Sequence, residues 1–142
     1  MKIVFDMDGT IADLYGVPNW LPYLEAEDTT PYDVARPMVN MSLLARLLNR
    51  AIKRGHEVHI LSWTSRTGSP EYCERIRQSK LKWIATHLRS VEFASIDVVP
   101  YGTPKVGEGI LFDDEERNRL TWGEGAHEPS EIYEVLKGLL NE

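Results

Sequence analysis

The 142 residues carry 42% hydrophobic and 27% charged side chains and a formal net charge of −6, a balance ordinary for one compact globular domain. That acidity argues against a broad basic field gripping nucleic acid nonspecifically. The single cysteine, Cys73, excludes an internal disulfide or a cysteine-built metal cluster and fits a reducing compartment. Asp6 interrupts the N-terminal apolar run too early for a signal-peptide core, and no run reaches membrane-spanning length. The expectation is a soluble, cytoplasmic protein.

In chain order, Ile3-Val4-Phe5 reads as a short buried strand that ends in acids and Gly9. Periodicity is then lost up to Pro37, across a stretch holding Pro18, Pro22, Pro31 and Pro37 among Trp20, Tyr23 and Tyr32. Residues 14–37 are therefore expected to form a small cap-like insertion of turns and short helical pieces within a single domain spanning 1–142. Leu43, Leu44, Leu47, Leu48, Ala51 and Ile52 recur at helical spacing, and Gly55 supplies the stop. Glu57 to Leu61 reads as a second strand running into Ser62. Ser69-Pro70-Glu71 is a helix start that combines a hydroxyl cap, a proline at the first helical position and an acid in the first turn. That helix is expected to turn Tyr72, Ile76, Trp83, Ile84 and Leu88 inward. Strands are expected at Ile96–Val99 and at Gly109–Phe112, and a last helix from about Pro129 or Ser130.

Strands alternating with helices imply an α/β fold, a three-layer Rossmann-like arrangement around a central parallel sheet. In such sheets ligands collect at the carboxyl ends of the strands. Asp6, Ser62 and Asp113 each fall at one of those ends. Together they match what attack on a phosphate monoester needs: charge neutralisation, in-line placement of phosphorus and a proton for the leaving oxygen. Asp6 could attack phosphorus, and Asp8 could protonate the leaving group and then activate water. Gly9 permits a sharp turn that brings backbone amides, such as that of Met7, toward phosphoryl oxygens. Asp6 and Asp113 together suit a hard divalent cation such as magnesium. Ser62 offers a hydroxyl and Lys105 a point charge, with Arg66 as the other candidate cation.

These positions resemble the haloacid dehalogenase superfamily. Asp6-Met7-Asp8-Gly9-Thr10 is similar to its first motif, Ser62 after Val58-His59-Ile60-Leu61 to its second, Lys105 to its third and Asp113-Asp114 after Ile110-Leu111-Phe112 to its fourth. The resemblance covers residues 1 to about 119. It implies a nucleophile at Asp6, an acid/base at Asp8, phosphate binding by Met7, Ser62 and Lys105 along with the two acids, and Mg2+ held by Asp6, the Asp8 carbonyl and Asp113. Asp114 either ligates the metal directly or orients its waters. Ile11-Ala12-Asp13 extends the first motif in the manner of small deoxyribonucleotidase-like members. The short segment between the first two motifs implies a minimal cap.

Other uses of Asp-x-Asp fit less well. A helix-loop-helix calcium loop needs glycine sixth and glutamate twelfth, but Gly9 is fourth from Asp6 and Val17 twelfth. The two-lobed metal site of a glycosyltransferase needs a longer chain and leaves the other motifs unexplained. His56, His59, His87 and His127 show no metal-ligand spacing. Trp20, Trp63 and Arg66 are candidate substrate contacts, although large aromatics more often anchor cores or interfaces. The function expected is magnesium-dependent hydrolysis of a small phosphorylated substrate, a nucleotide among the candidates. The alternatives are an end-processing phosphatase acting on nucleic acid, which the charge disfavours, and a silent phosphate-binding or scaffolding protein of the same fold. Oligomeric state is open, with the aromatic stretch Trp20 to Tyr32 as a contact surface.

Overall fold

The structure is a computed structural model that describes all residues, 1–142. Five parallel strands form the central sheet in the order β5-β4-β1-β6-β7, namely Ser95–Val99, Glu57–Trp63, Lys2–Phe5, Ile110–Phe112 and Ala126–His127. β1 lies in the middle, and its Ile3, Val4 and Phe5 are all buried, which explains an uninterrupted apolar run rather than an alternating one. β4 alternates instead, burying Val58, Ile60 and Ser62. The edge strand β7 was not foreseen, because two residues are too few to show a period.

Helices α3 (Met41–Lys53), α4 (Pro70–His87) and α6 (Ile132–Leu140) pack on one face of this sheet through Leu44, Leu47, Leu48, Trp83, Ile84, Ile132 and Leu136. The ends follow the cap chemistry. The Asn40 side chain accepts from the Leu43 amide, and the Ser69 hydroxyl accepts from the Tyr72 amide with Pro70 in the first turn. The 3-10 turn Pro129–Glu131 precedes α6, so that helix starts slightly later than expected. On the other face lie the short α5 (Glu116–Trp122) and the irregular connection through residues 100–109, where the Trp122 indole donates to the Gly109 carbonyl (3.1 Å).

Residues 14–37 hold two short helices, α1 (Trp20–Glu25) and α2 (Thr30–Val34), bracketed by the antiparallel pair β2 (Ala12–Asp13) and β3 (Arg36–Pro37). This stretch is fastened to α4 along its length. The Ser69 hydroxyl donates to Glu27 Oε1 (2.5 Å), the Tyr72 hydroxyl to the Asp28 carbonyl (2.9 Å), Arg75 to the Glu27 carbonyl (3.1 Å) and the Trp83 indole to the Ala35 carbonyl (2.8 Å). Leu14, Tyr32, Tyr72 and Ile76 form a small apolar cluster beneath it. The proline-rich segment therefore packs as a fixed wall, with Pro22 and Pro31 in the first turns of its short helices, where the missing amide breaks no helical hydrogen bond.

Candidate active site

Strand register creates the site. Phe5 pairs with both Ile60 of β4 and Phe112 of β6, so the residues that follow β1 and β6 emerge side by side, and the Asp6 amide donates to the Phe112 carbonyl at 2.9 Å. Asp6 and Asp113 are both buried there. The next turn is tight: the amides of Thr10, Ile11 and Ala12 all donate to the Met7 carbonyl at 2.9–3.0 Å. Gly9 has φ +78°, and a side chain added to it would lie 2.3 Å from the Asp114 carboxylate. The Met7 and Asp8 amides donate to no acceptor within the chain and remain available to an anion.

Lys105 is 1% exposed, and its ammonium donates to Asp6 Oδ1 (2.9 Å) and Asp113 Oδ2 (2.7 Å). The other Asp6 oxygen accepts from the Thr10 hydroxyl at 3.1 Å. Asp113 is held further by the Asn118 amide (3.1 Å) and the Glu115 backbone amide (2.9 Å). Burial alone would lower the Lys105 pKa, but the two carboxylates outweigh it and raise it, so the side chain stays charged.

The cluster carries more negative charge than Lys105 neutralises. Burial and the neighbouring Asp6 push the Asp113 carboxyl upward against the pull of Lys105, and burial with Asp6 and Asp113 pushes Asp114 up to about 8. Asp6, Asp113 and Asp114 offer one oxygen each within 4.8 Å of one another. This is an all-oxygen, electron-rich set of the kind that hard divalent cations satisfy. The Asp8 carboxylate is not part of it.

The Asp114 shift has a thermal consequence. Its folded-state pKa lies above the ordinary 3.8, so its contribution to stability is present while the proton is on and is lost as pH rises toward about 8. The thermal midpoint of metal-free protein is expected to decline as pH rises from about 4 to about 8 and to level off above that. Added divalent cation should raise it more at the higher pH, where the carboxylates compete with fewer protons. A cation effect equal at both values would show that these acids do not bind it.

The structure also brings in a residue that sequence reasoning passed over. Lys80 of α4 is 1% exposed and donates to Asp8 Oδ2 (2.8 Å), Ser62 Oγ (2.7 Å) and the Trp63 carbonyl (2.7 Å). A signal was there: Lys80 continues the inward Tyr72, Ile76, Trp83, Ile84 stripe of α4, and a lysine on a core-facing stripe requires buried acceptors. Thr10 and Asn118, both buried, are the other polar residues bracing the acids.

A cavity of about 370 Å3 opens over these groups. Its floor includes Asp6, Asp8, Lys105, Asp113 and Asp114. Tyr15, Trp20 and Tyr32 of the insertion wall one side and Trp63 to Thr67 with Tyr101 the other, so Trp20, Trp63 and Arg66 all line it. Trp20 meets Tyr15 edge-on with centroids 5.0 Å apart. Trp63 leans on Tyr101 at 4.9 Å, donates its indole N–H to the Thr103 carbonyl (2.9 Å) and lies 5.4 Å from the Lys105 ammonium. Trp63 thus holds the loop that delivers Lys105 as well as facing the cavity. Arg66 is exposed and forms no ion pair, and the cation bonded to Asp6 is Lys105. Burial and the Asp8 charge raise the pKa of the Tyr15 and Tyr32 phenols, which keeps them as neutral donors.

No helix is long and apolar enough to cross a membrane. No protein-family model and no curated protein matches the chain. Among solved structures it is similar to the D,D-heptose 1,7-bisphosphate phosphatase of B. bronchiseptica, crystallised with magnesium and phosphate. The two are 12% identical with a TM-score of 0.51, over 99% of this chain and 98% of that one. The chain has the haloacid dehalogenase fold of that phosphatase, a parallel α/β sheet flanked by helices.

Proposed function

We propose that the chain is a magnesium-dependent phosphatase that hydrolyses the monoester of a small phosphorylated molecule carrying a flat group, a nucleotide being the substrate class that best fits. The observation that carries the reading is the buried Lys105 bridging Asp6 and Asp113 at adjoining strand ends, with Asp8 two residues on at the cavity floor. The likeness of fold to a phosphatase crystallised with magnesium and phosphate supports it.

Asp6 attacks phosphorus as the bond to the leaving oxygen breaks, and Asp8 gives that oxygen its proton. Water then attacks the aspartyl-phosphate and passes its proton to Asp8, while the Asp6–phosphorus bond breaks and phosphate leaves. The Met7 and Asp8 amides, the Ser62 hydroxyl and the Lys105 ammonium are the donors for phosphoryl oxygens. Asp6, Asp113 and Asp114 are the carboxylates that would hold magnesium, with the Asp8 carbonyl as a further ligand; the ion supplies positive charge against the dianionic phosphoryl group. The aromatic walls at Trp20, Tyr15 and Trp63 suit the planar faces of a base.

The test is phosphate release, with and without magnesium, from an aryl phosphate, nucleoside monophosphates, sugar phosphates and a phosphate-terminated oligonucleotide. Metal-dependent turnover with a higher kcat/KM for nucleoside than for sugar phosphates is expected. A preference for the oligonucleotide that weakens with salt would replace this reading with nucleic-acid end processing. Phosphate binding without turnover of any substrate would leave a silent phosphate-binding protein.

A further inference from the structure

Resting on the phosphatase reading, we propose that Lys80 is a positioning residue that sets two catalytic groups at once, fixing the Asp8 carboxylate for proton transfer and making Ser62 a donor to the phosphoryl group. A lysine ammonium has three N–H donors and no acceptor. Lys80 directs them at Asp8 Oδ2, Ser62 Oγ and the Trp63 carbonyl, each within 2.8 Å, in a position 1% exposed. No donor is left for substrate, so its action runs through the groups it holds.

At Asp8 the contact occupies Oδ2 and turns one carboxylate edge toward α4. The free oxygen, Oδ1, is the one left to face the cavity floor and exchange the proton. At Ser62 the hydroxyl oxygen accepts from Lys80, and its own hydrogen has no acceptor inside the protein. Ser62 is fully buried beneath the cavity, and in the proposal that unspent hydrogen goes to a phosphoryl oxygen seated against the floor at Asp6 and Asp8. The Trp63 carbonyl completes the cradle, and the Tyr32 ring lies 5.3 Å from the ammonium, closing this side of the site with a neutral aromatic face.

Charge gives the same result. Asp6, Asp8, Asp113 and Asp114 bring four carboxylates, and Lys80 with Lys105 returns two positive charges. A divalent cation on the acidic trio balances the rest before substrate arrives. Without Lys80 the metal-loaded site would have one positive charge fewer beside Asp8, and would attract a phosphate dianion less strongly.

A purely structural lysine would slow every substrate alike, whereas one acting through Asp8 is felt according to how much the leaving oxygen needs a proton. The experiment measures single-turnover release of the leaving group by wild type, Lys80→Met and Lys80→Gln. One substrate is an alkyl phosphate, whose alkoxide requires protonation; the other is a dinitrophenyl phosphate, whose phenolate does not. Thermal midpoint and magnesium affinity are followed to confirm that each variant is folded. The expected result is loss of about 100-fold on the alkyl phosphate, within the span of general acid catalysis, against about 5-fold or less on the aryl one, the shared part reporting Ser62. In an Asp8→Asn background the extra loss on the alkyl phosphate should vanish, as for residues acting through one another.

Equal losses on both substrates, or full alkyl-phosphate activity in a folded Lys80 variant, would overturn the proposal and leave the phosphatase reading standing. A wild-type protein that releases neither leaving group would overturn that reading and the role of Lys80 with it.

Discussion

Asp6→Asn is expected to abolish magnesium-dependent phosphate release, lowering kcat on the order of 10^5-fold, while the thermal midpoint of the metal-free protein stays the same or rises. The two halves of this result have separate causes. The amide keeps the shape of the side chain and can still meet Lys105 and Thr10 through its oxygen, but it cannot attack phosphorus. It also removes one negative charge from a cluster in which burial and mutual repulsion already push Asp113 and Asp114 upward, so the fold loses a source of strain. Phosphate-release kinetics and a thermal melt on the same sample check both halves. Substantial residual turnover would take the nucleophile's role from Asp6, and a collapse of the melt would make Asp6 a structural residue first.

Lys105→Met is expected to be the most destabilising of the single changes at the site. The ammonium is buried between Asp6 and Asp113, and its removal leaves two buried carboxylates facing each other without a counter-charge. Breaking a buried pair from one side typically costs about 3–5 kcal/mol, which for a chain of this size lowers the thermal midpoint by roughly 10–15 °C. Magnesium should restore much of the loss, because an ion on Asp6, Asp113 and Asp114 supplies the missing positive charge. Midpoints measured across a magnesium titration read this directly. A variant as stable as wild type in metal-free buffer would mean that one of the two carboxylates is protonated in the native state.

How much of this could be read in advance depended on where each group sits. Asp6, Ser62 and Asp113 could be placed because apolar strands of three or more residues announce their own ends, and strand ends are where a parallel sheet gathers ligands. A parallel sheet followed from alternating strands and helices, whereas its order, with β1 in the middle, is not set by that alternation. The two-residue strands β2, β3 and β7 could not be read, being shorter than one period of any pattern. Lys105 was recognisable by its place ahead of β6, but nothing local in Thr103-Pro104-Lys105 says that the side chain is buried; that depends on Trp63 anchoring the loop from another strand. Lys80 was missed for a different reason. Its helix was read for apolar residues, and a charged residue on the same stripe passes as an interruption until its partners, one 18 positions and one 72 positions away, are seen in space. The insertion was legible as a break in periodicity. Its packing was not, because it is made mostly by side chains donating to backbone carbonyls, which leave no trace in composition.

Those bonds run to α4, the helix that also carries Lys80. Ser69, Tyr72, Arg75 and Trp83 grip the insertion, and Lys80 lies between Tyr72 and Trp83 on the same inward face. On the proposed reading, the wall that faces a substrate and the group that orients the proton donor are therefore two sides of one helix. Specificity and turnover cannot be tuned separately in such a scaffold: an altered wall that admits a new substrate also moves the seat of Asp8. Adaptation to a new substrate would then show as paired changes, one in residues 14–37 and one on α4.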